Sequence, residues 1–197
     1  GTAVLIAISG LIVIWLTGFR IKYFLYSFFV LICLTPVAIS FLKPYQKSRI
    51  LTFLNPERDP LGAGYQIIQS KIAIGSGGLF GKGFLNGSQS YLDYLPEKHT
   101  DFIFTLFSEE FGFFGSLSIL LLYALIISRI VKIGTLTRST FGKLYCYSFA
   151  TAFFIYVVVN MMMVLGLLPI VGSPLPIMSY GGSSMMAIMF GLGIVMS

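Results

Sequence analysis

Charge is what this sequence has least of. Only 10% of its 197 residues are charged, 56% are apolar, and mean hydropathy is +0.90. A soluble domain usually carries about 25% charged residues. Too little charge remains to cover a water-facing surface, which excludes an ordinary soluble enzyme domain. Disorder is excluded too, because 19 Phe and 11 Tyr supply ample apolar area. Cysteine occurs twice and histidine once, at His99. Cys33 and Cys146 fall in separate apolar runs, far from any metal-like spacing, and read as small buried residues. No charged segment with a cleavage site precedes the first apolar run, so no signal peptide is expected. With Gly1 at its start and Ser197 inside an apolar run, the chain reads as a piece of a longer membrane protein.

What is present is apolar length. Five stretches stand out: 2–17, 23–42, 102–127, 144–168 and 181–197. A helix needs about 20 residues to cross the hydrocarbon core, and the middle three meet that length. Backbone groups in lipid must bond internally, so helices are expected rather than open strands. The expected fold is an all-α, polytopic transmembrane bundle forming part of one domain. Arg20 and Lys22 follow the first run, and Arg129, Lys132, Arg138 and Lys143 follow the third. These six cations account for the whole net charge of +6. The positive-inside rule places 18–22 and 128–143 in the cytoplasm and 43–101 and 169–180 outside. The basic balance is therefore a topology signal, and nucleic-acid binding is not expected.

The outer loop 43–101 is long, and long loops are often functional. Within Leu61–Ile74, Leu61, Tyr65, Ile68 and Ile72 share one helical face, and Gln66, Gln69 and Ser70 another. The pattern predicts a helix lying in the membrane interface or dipping into it, with Lys71 snorkelling. Next comes Ser76-Gly-Gly-Leu-Phe-Gly-Lys-Gly83, which superficially resembles a phosphate-binding loop. That pattern needs Gly at position 76 and Ser or Thr at 83, so the nucleotide reading fails. A flexible turn remains, or an edge whose amides and Lys82 meet an anion.

Pro96-Glu-Lys-His-Thr-Asp101 stands directly before the apolar run at Phe102. Thr100 or Asp101 would serve as a helix N-cap. Equally, a carboxylate at the outer face would serve as a general base. A zinc site is not expected around a single histidine. On a continuous helix, Asp101, Thr105, Ser108, Gly112 and Gly115 would form a small or polar stripe, suited to tight packing or to lining a groove. Glu109 and Glu110 would sit about 10 Å or more further along, either as functional carboxylates or as a pair bonded to neighbouring helices. Pro169–Ser184 holds three prolines besides glycines and serines, and reads as a broken re-entry between two helices. The amides near Gly181 would face an anion there, or the segment is a packed turn. Tyr156 and Asn160 share a helix face, which interhelical hydrogen bonding explains.

Several of these segments resemble one family in wording and order. They are Asp59–Gly78, Gly81-Lys-Gly83, Gly87-Ser-Gln89, Leu95-Pro-Glu-Lys-His-Thr-Asp-Phe-Ile-Phe104, Pro174-Leu-Pro176 and Ser179-Tyr-Gly-Gly-Ser-Ser184. The chain is similar, from about Leu51 to its end, to the shape, elongation, division and sporulation (SEDS) family. The Asp59–Tyr65 wording and the closing Gly-Ile-Val-Met-Ser197 favour the elongation branch over the septal one.

The resemblance implies about ten transmembrane helices, roughly half of them present here. It implies a peptidoglycan glycosyltransferase that polymerises lipid II into a glycan strand in the bacterial inner membrane. It also implies a class B penicillin-binding protein as partner within the elongation complex. It places the essential aspartate at Asp101. The family usually has glycine where Met162 stands, a departure that bears on close helix packing there. Around Asp101 a leaving diphosphate and sugar hydroxyls need cations, amides and polar groups, and Lys71, Lys82, Gln89, Glu97, His99, Ser179, Tyr180, Gly181, Gly182 and Ser183 are the expected substrate-binding residues. Thr105, Ser108, Glu109, Glu110, Asn160, Pro174 and Pro176 would shape the groove. A divalent cation, Mg or Mn, could bridge the diphosphate, and no nucleotide is expected. Two competitors stand beside the enzyme: a flippase for the lipid-linked precursor and a non-enzymatic scaffold of the elongation machinery.

Overall fold

A computed structural model describes residues 2–18, 22, 25–26, 51–53, 62–87 and 100–196. The expected second span, 23–42, lies outside the described residues apart from Leu25 and Tyr26, which are helical. Among the described residues the elements are all helical. They are α1 (Thr2–Leu16), α2 (Ala63–Ser76), α3 (Ile103–Leu136), α4 (Thr140–Val164) and α5 (Gly182–Met196). Of these, α3 and α4 are long and apolar enough to cross a membrane. The chain is a polytopic helical membrane protein, as its composition predicts.

The ends of α3 and α4 differ from expectation. Residues 128–136 continue α3, so the basic link 128–143 shrinks to the turn at 137–139. No Pro interrupts this stretch, and Gly134 packs on Cys146 and Tyr147, which keeps α3 and α4 together to the turn. Ser139 then caps α4 by accepting a hydrogen bond from the Gly142 amide at 3.3 Å. At the other end α4 stops at Val164, four residues earlier than expected. Gly166 takes φ +69, and the amides of Gly166 and Leu167 donate back to the carbonyls of Met163 and Met162. This closing motif needs the left-handed backbone that glycine adopts easily. Met162, at the family's usual glycine position, is half-buried between the buried Met161 and Met163.

α3 is not one straight rod. Gly112 sits at φ 65 and ψ −159, a region open essentially to glycine. In an unbroken helix the amides of Phe113 and Phe114 would bond the carbonyls of Glu109 and Glu110. Here all four groups have partners in the loop after α2. Phe113 donates to Gly78 at 2.9 Å and Phe114 to Leu79 at 3.2 Å. The Lys82 amide donates to Glu109 at 3.1 Å, and that of Gly83 to Glu110 at 3.0 Å. The bend brings Ser116 Oγ to 2.9 Å from Ser108 Oγ, eight residues away in sequence. The bend lies beyond Glu109 and Glu110, so their spacing along the helix from Asp101 stands, while the straight continuation of the small-residue stripe past Gly112 does not. Phe113–Leu136 alone covers about 36 Å at 1.5 Å per residue, enough to cross the roughly 30 Å core.

The small stripe on α3 is used for packing. Gly77 lies against the Ser108 carbonyl and Gly81 against that of Glu110, so neither place has room for a Cβ. Thr105 Oγ1 is 2.8 Å from Ser70 Oγ, which donates to the Val164 carbonyl at 2.7 Å. The face of α2 that turns inward is therefore Gly64, Ile67, Ser70, Ala73 and Gly77. The predicted apolar face is the outer one, with Ile72 half-exposed and Tyr65 and Ile68 partly so. Close approach to α3 and α4 demands small residues, whereas lipid accepts large apolar ones. The principal core joins α3, α4 and the proline segment through Phe102, Phe104, Tyr123, Phe153, Val157, Met161 and Leu175.

Candidate active site

The site forms where the start of α3 meets the end of α4 and the segment 169–181. Phe102 is the N-cap of α3, and its carbonyl accepts from the Thr105 amide at 3.0 Å. The carbonyls of Thr100 and Asp101 thus precede the helix, and side chains from elsewhere meet them. Asn160 Nδ2 donates to the Asp101 carbonyl at 2.9 Å and to the Ser173 carbonyl at 2.7 Å. Ser179 Oγ donates to the Thr100 carbonyl at 2.6 Å and accepts from the Leu175 amide at 2.6 Å. Asp101 itself is half-buried, and its Oδ2 faces Gly172.

The proline segment is held under tension. The Met178 amide donates to the Pro176 carbonyl at 2.8 Å across Ile177, which sits at φ 68. A tight turn of this hand is rare and strained for a β-branched residue. The same Pro176 carbonyl accepts from Tyr123 Oη at 2.6 Å, tying the turn to the middle of α3. Pro176 is buried and Pro174 half-buried. Ile103, Ile177, Ser179, Tyr180, Gly181 and Gly182 border a cleft of about 460 Å³. Tyr180 is 82% exposed at its rim, Ser183 is exposed, and α5 begins at Gly182.

The whole chain, residues 1–197, matches the FtsW/RodA/SpoVE family of cell cycle proteins. The chain belongs to this family. These are the shape, elongation, division and sporulation proteins that the motifs resemble. The chain is 50% identical to Peptidoglycan glycosyltransferase MrdB of Escherichia coli K12, over all of its own length and 54% of that protein. It is 47% identical to Peptidoglycan glycosyltransferase RodA of Treponema pallidum, over 82% of this chain and 37% of that protein. The FtsW/RodA/SpoVE fold is also found in a chain of a solved peptidoglycan synthase complex that coordinates polymerization and crosslinking. That match has a TM-score of 0.81 at 34% identity and covers 99% of this chain and 54% of the other. The chain thus spans about half the length of the curated relatives it matches.

Against this family background the residues singled out in the sequence divide into three groups. Ser179, Tyr180, Gly181 and Gly182 border the cleft, with the exposed Ser183 next in sequence; Asn160 is bonded to the Asp101 backbone, and Pro174 and Pro176 line a separate cavity with Phe153 and Tyr156. Thr105, Ser108, Glu109, Glu110 and Lys82 gather at the packed bend. There Lys82 Nζ is 2.7 Å from Glu109 Oε1, and the glutamate is fully buried. Glu110 is half-buried, and its carbonyl anchors Gly83. Lys71 is exposed on α2, its stem lying against Gly166. Gln89, Glu97 and His99 lie outside the described residues. Sequence reasoning missed Ser173, Tyr123 and Ser70 as bonded residues. For Tyr123 a signal existed, since a phenol inside an apolar run needs a hydroxyl partner.

Proposed function

We propose that this chain is the part of a peptidoglycan glycosyltransferase that carries its general base, Asp101. The observation that carries the reading is the half-buried Asp101 at the end of a packed helix pair, its backbone held by side chains from two other elements. The names of the relatives supply the reaction class. A sugar joined to a lipid diphosphate already has a good leaving group, so the acceptor hydroxyl chiefly needs a positioned base. The hydroxyl oxygen attacks the anomeric carbon from the face opposite the diphosphate. Its proton passes to an Asp101 carboxylate oxygen, the bond to the diphosphate oxygen breaks, and configuration inverts.

The leaving diphosphate needs positive charge or amides. Lys71 and the start of α5 at Gly181 and Gly182 are the proposed helpers. Lys82 would reach an anion only by giving up Glu109. Tyr180 and Ser183, with Gln89, Glu97 and His99, are proposed to meet sugar and phosphate groups; Ser179, expected among them, is buried with its hydroxyl bonded to Thr100 and Leu175 and does not face the substrate. Among the described residues no three His, Cys, Asp or Glu side chains converge. A divalent cation, Mg or Mn, would be held at the diphosphate and when bound would neutralise its charge. No nucleotide is required.

The proposed setting is the bacterial cytoplasmic membrane, with 43–101 and 169–180 outside and, inside, 18–22 and the turn at 137–139 with the basic helix ends that flank it. Lipid II and the growing strand are the proposed substrates. The proposed partner is a class B penicillin-binding protein of the elongation complex. The test is polymerisation of lipid II by the full-length protein, wild type against Asp101→Asn, with and without chelator. Loss of product at normal membrane abundance is expected, and full activity of Asp101→Asn would overturn the assignment. Fluorescent lipid II in vesicles separates a polymerase from a flippase, since polymerisation leaves the leaflet distribution unchanged.

A further inference from the structure

We propose that Asn160 and Ser179 are positioning residues for Asp101, coupling its place to the proline segment. The inference rests on reading Asp101 as the base. Each side chain is a bridge with one end on 100–101 and the other on 173–175. Asn160 reaches two carbonyls, and since both neighbours are acceptors the orientation of its amide is settled. The bridges grip main-chain carbonyls, so neither consumes the Asp101 carboxylate. Those carbonyls precede the first turn of α3 and need outside donors.

Packing alone does not account for this arrangement. Asn160 and Ser173 are fully buried, yet Asn160 Oδ1 and Ser173 Oγ find no hydrogen-bond partner among the described residues. A buried polar group left half-satisfied is destabilising, and an apolar side chain of similar size would avoid that loss. Such exceptions are expected where function demands them. The strained turn at Ile177 lies between the two anchorage points, Ser173 and Ser179. The bridges therefore transmit the position of this turn to the backbone that carries the base.

Displacement of a reacting group by about 1 Å can lower turnover about 100-fold. In the full-length protein, Asn160→Ala and Ser179→Ala are expected to lower kcat about 10- to 100-fold, with KM for lipid II within about twofold of wild type. Ser179→Thr keeps a hydroxyl and is expected to recover most of the loss. If Asn160→Ala lowers membrane abundance, the Ser179→Ala and Ser179→Thr pair makes the same comparison. A second readout does not depend on catalysis: the rate at which an impermeant maleimide labels Asp101→Cys, with Asn160 intact and with Asn160→Ala. A severalfold change in that rate supports the inference. An unchanged labelling rate, or wild-type kcat in a stably folded Ser179→Ala protein, overturns it. An active Asp101→Asn protein would instead overturn the general-base reading, while the labelling comparison still decides whether these two residues hold position 101.

Discussion

Two interruptions of helical backbone shape this molecule, and they are built on opposite principles. At Gly112 the break is made and satisfied by main chain: four amide–carbonyl bonds join the bend to residues 78–83. At 169–181, prolines make the break and individual side chains hold it, through Tyr123, Asn160 and Ser179. A break held by backbone tolerates changes of neighbouring side chains but no added Cβ. A break held by side chains tolerates backbone adjustment but depends on single hydroxyl and amide groups. The first makes a rigid support, and the second is suited to placing a reactive group.

The sharpest way to break this contrast is Gly112→Ala. A Cβ there would meet the Gly81 amide and the Leu79 carbonyl, in a backbone region that only glycine occupies readily. A loss of about 4 kcal/mol is expected, read as collapse of membrane abundance and of the monodisperse peak in detergent. Next is the ion pair under the same bend. Lys82→Met takes the ammonium away from the fully buried Glu109 and should cost about 3 kcal/mol, whereas Glu109→Gln leaves a lysine that is 30% exposed and should cost about 1. Thermal melting of both variants in detergent checks the asymmetry, and equal losses would count against it. Tyr123→Phe removes one donor from the proline break and should cost about 1–2 kcal/mol, with a larger fractional loss of turnover than of stability. The smallest effect belongs to Ser139→Ala, far from both breaks. It should lower stability by about 0.5–1 kcal/mol and leave turnover unchanged.

Membrane crossing was legible because it depends on local composition, and α3, α4 and α5 fall where the apolar runs lie. The proline re-entry was legible because Pro and Gly act on their own backbone. The bend at Gly112 was not. Its partners are 27 to 35 residues earlier, at Gly78–Gly83, and a glycine within a small-residue stripe looks the same whether it packs a straight helix or breaks one. The inward face of α2 was not legible for a related reason. Apolar periodicity identifies the buried face in water, but Ile72 here is outward and Ser70 inward because lipid removes that contrast. Asp101 could be singled out beside its motif. The bridges from Asn160 and Ser179 could not, since they join segments 59 and 79 residues apart.

The crossed bonding at Gly112 has a mechanical consequence. Straightening α3 would restore two bonds, from Phe113 to Glu109 and from Phe114 to Glu110, while leaving Gly78, Leu79, Lys82 and Gly83 with four main-chain groups to re-solvate. The helix and the loop therefore behave as one part. A pull on the polypeptide leaving Gly83 is delivered to α3 as torque.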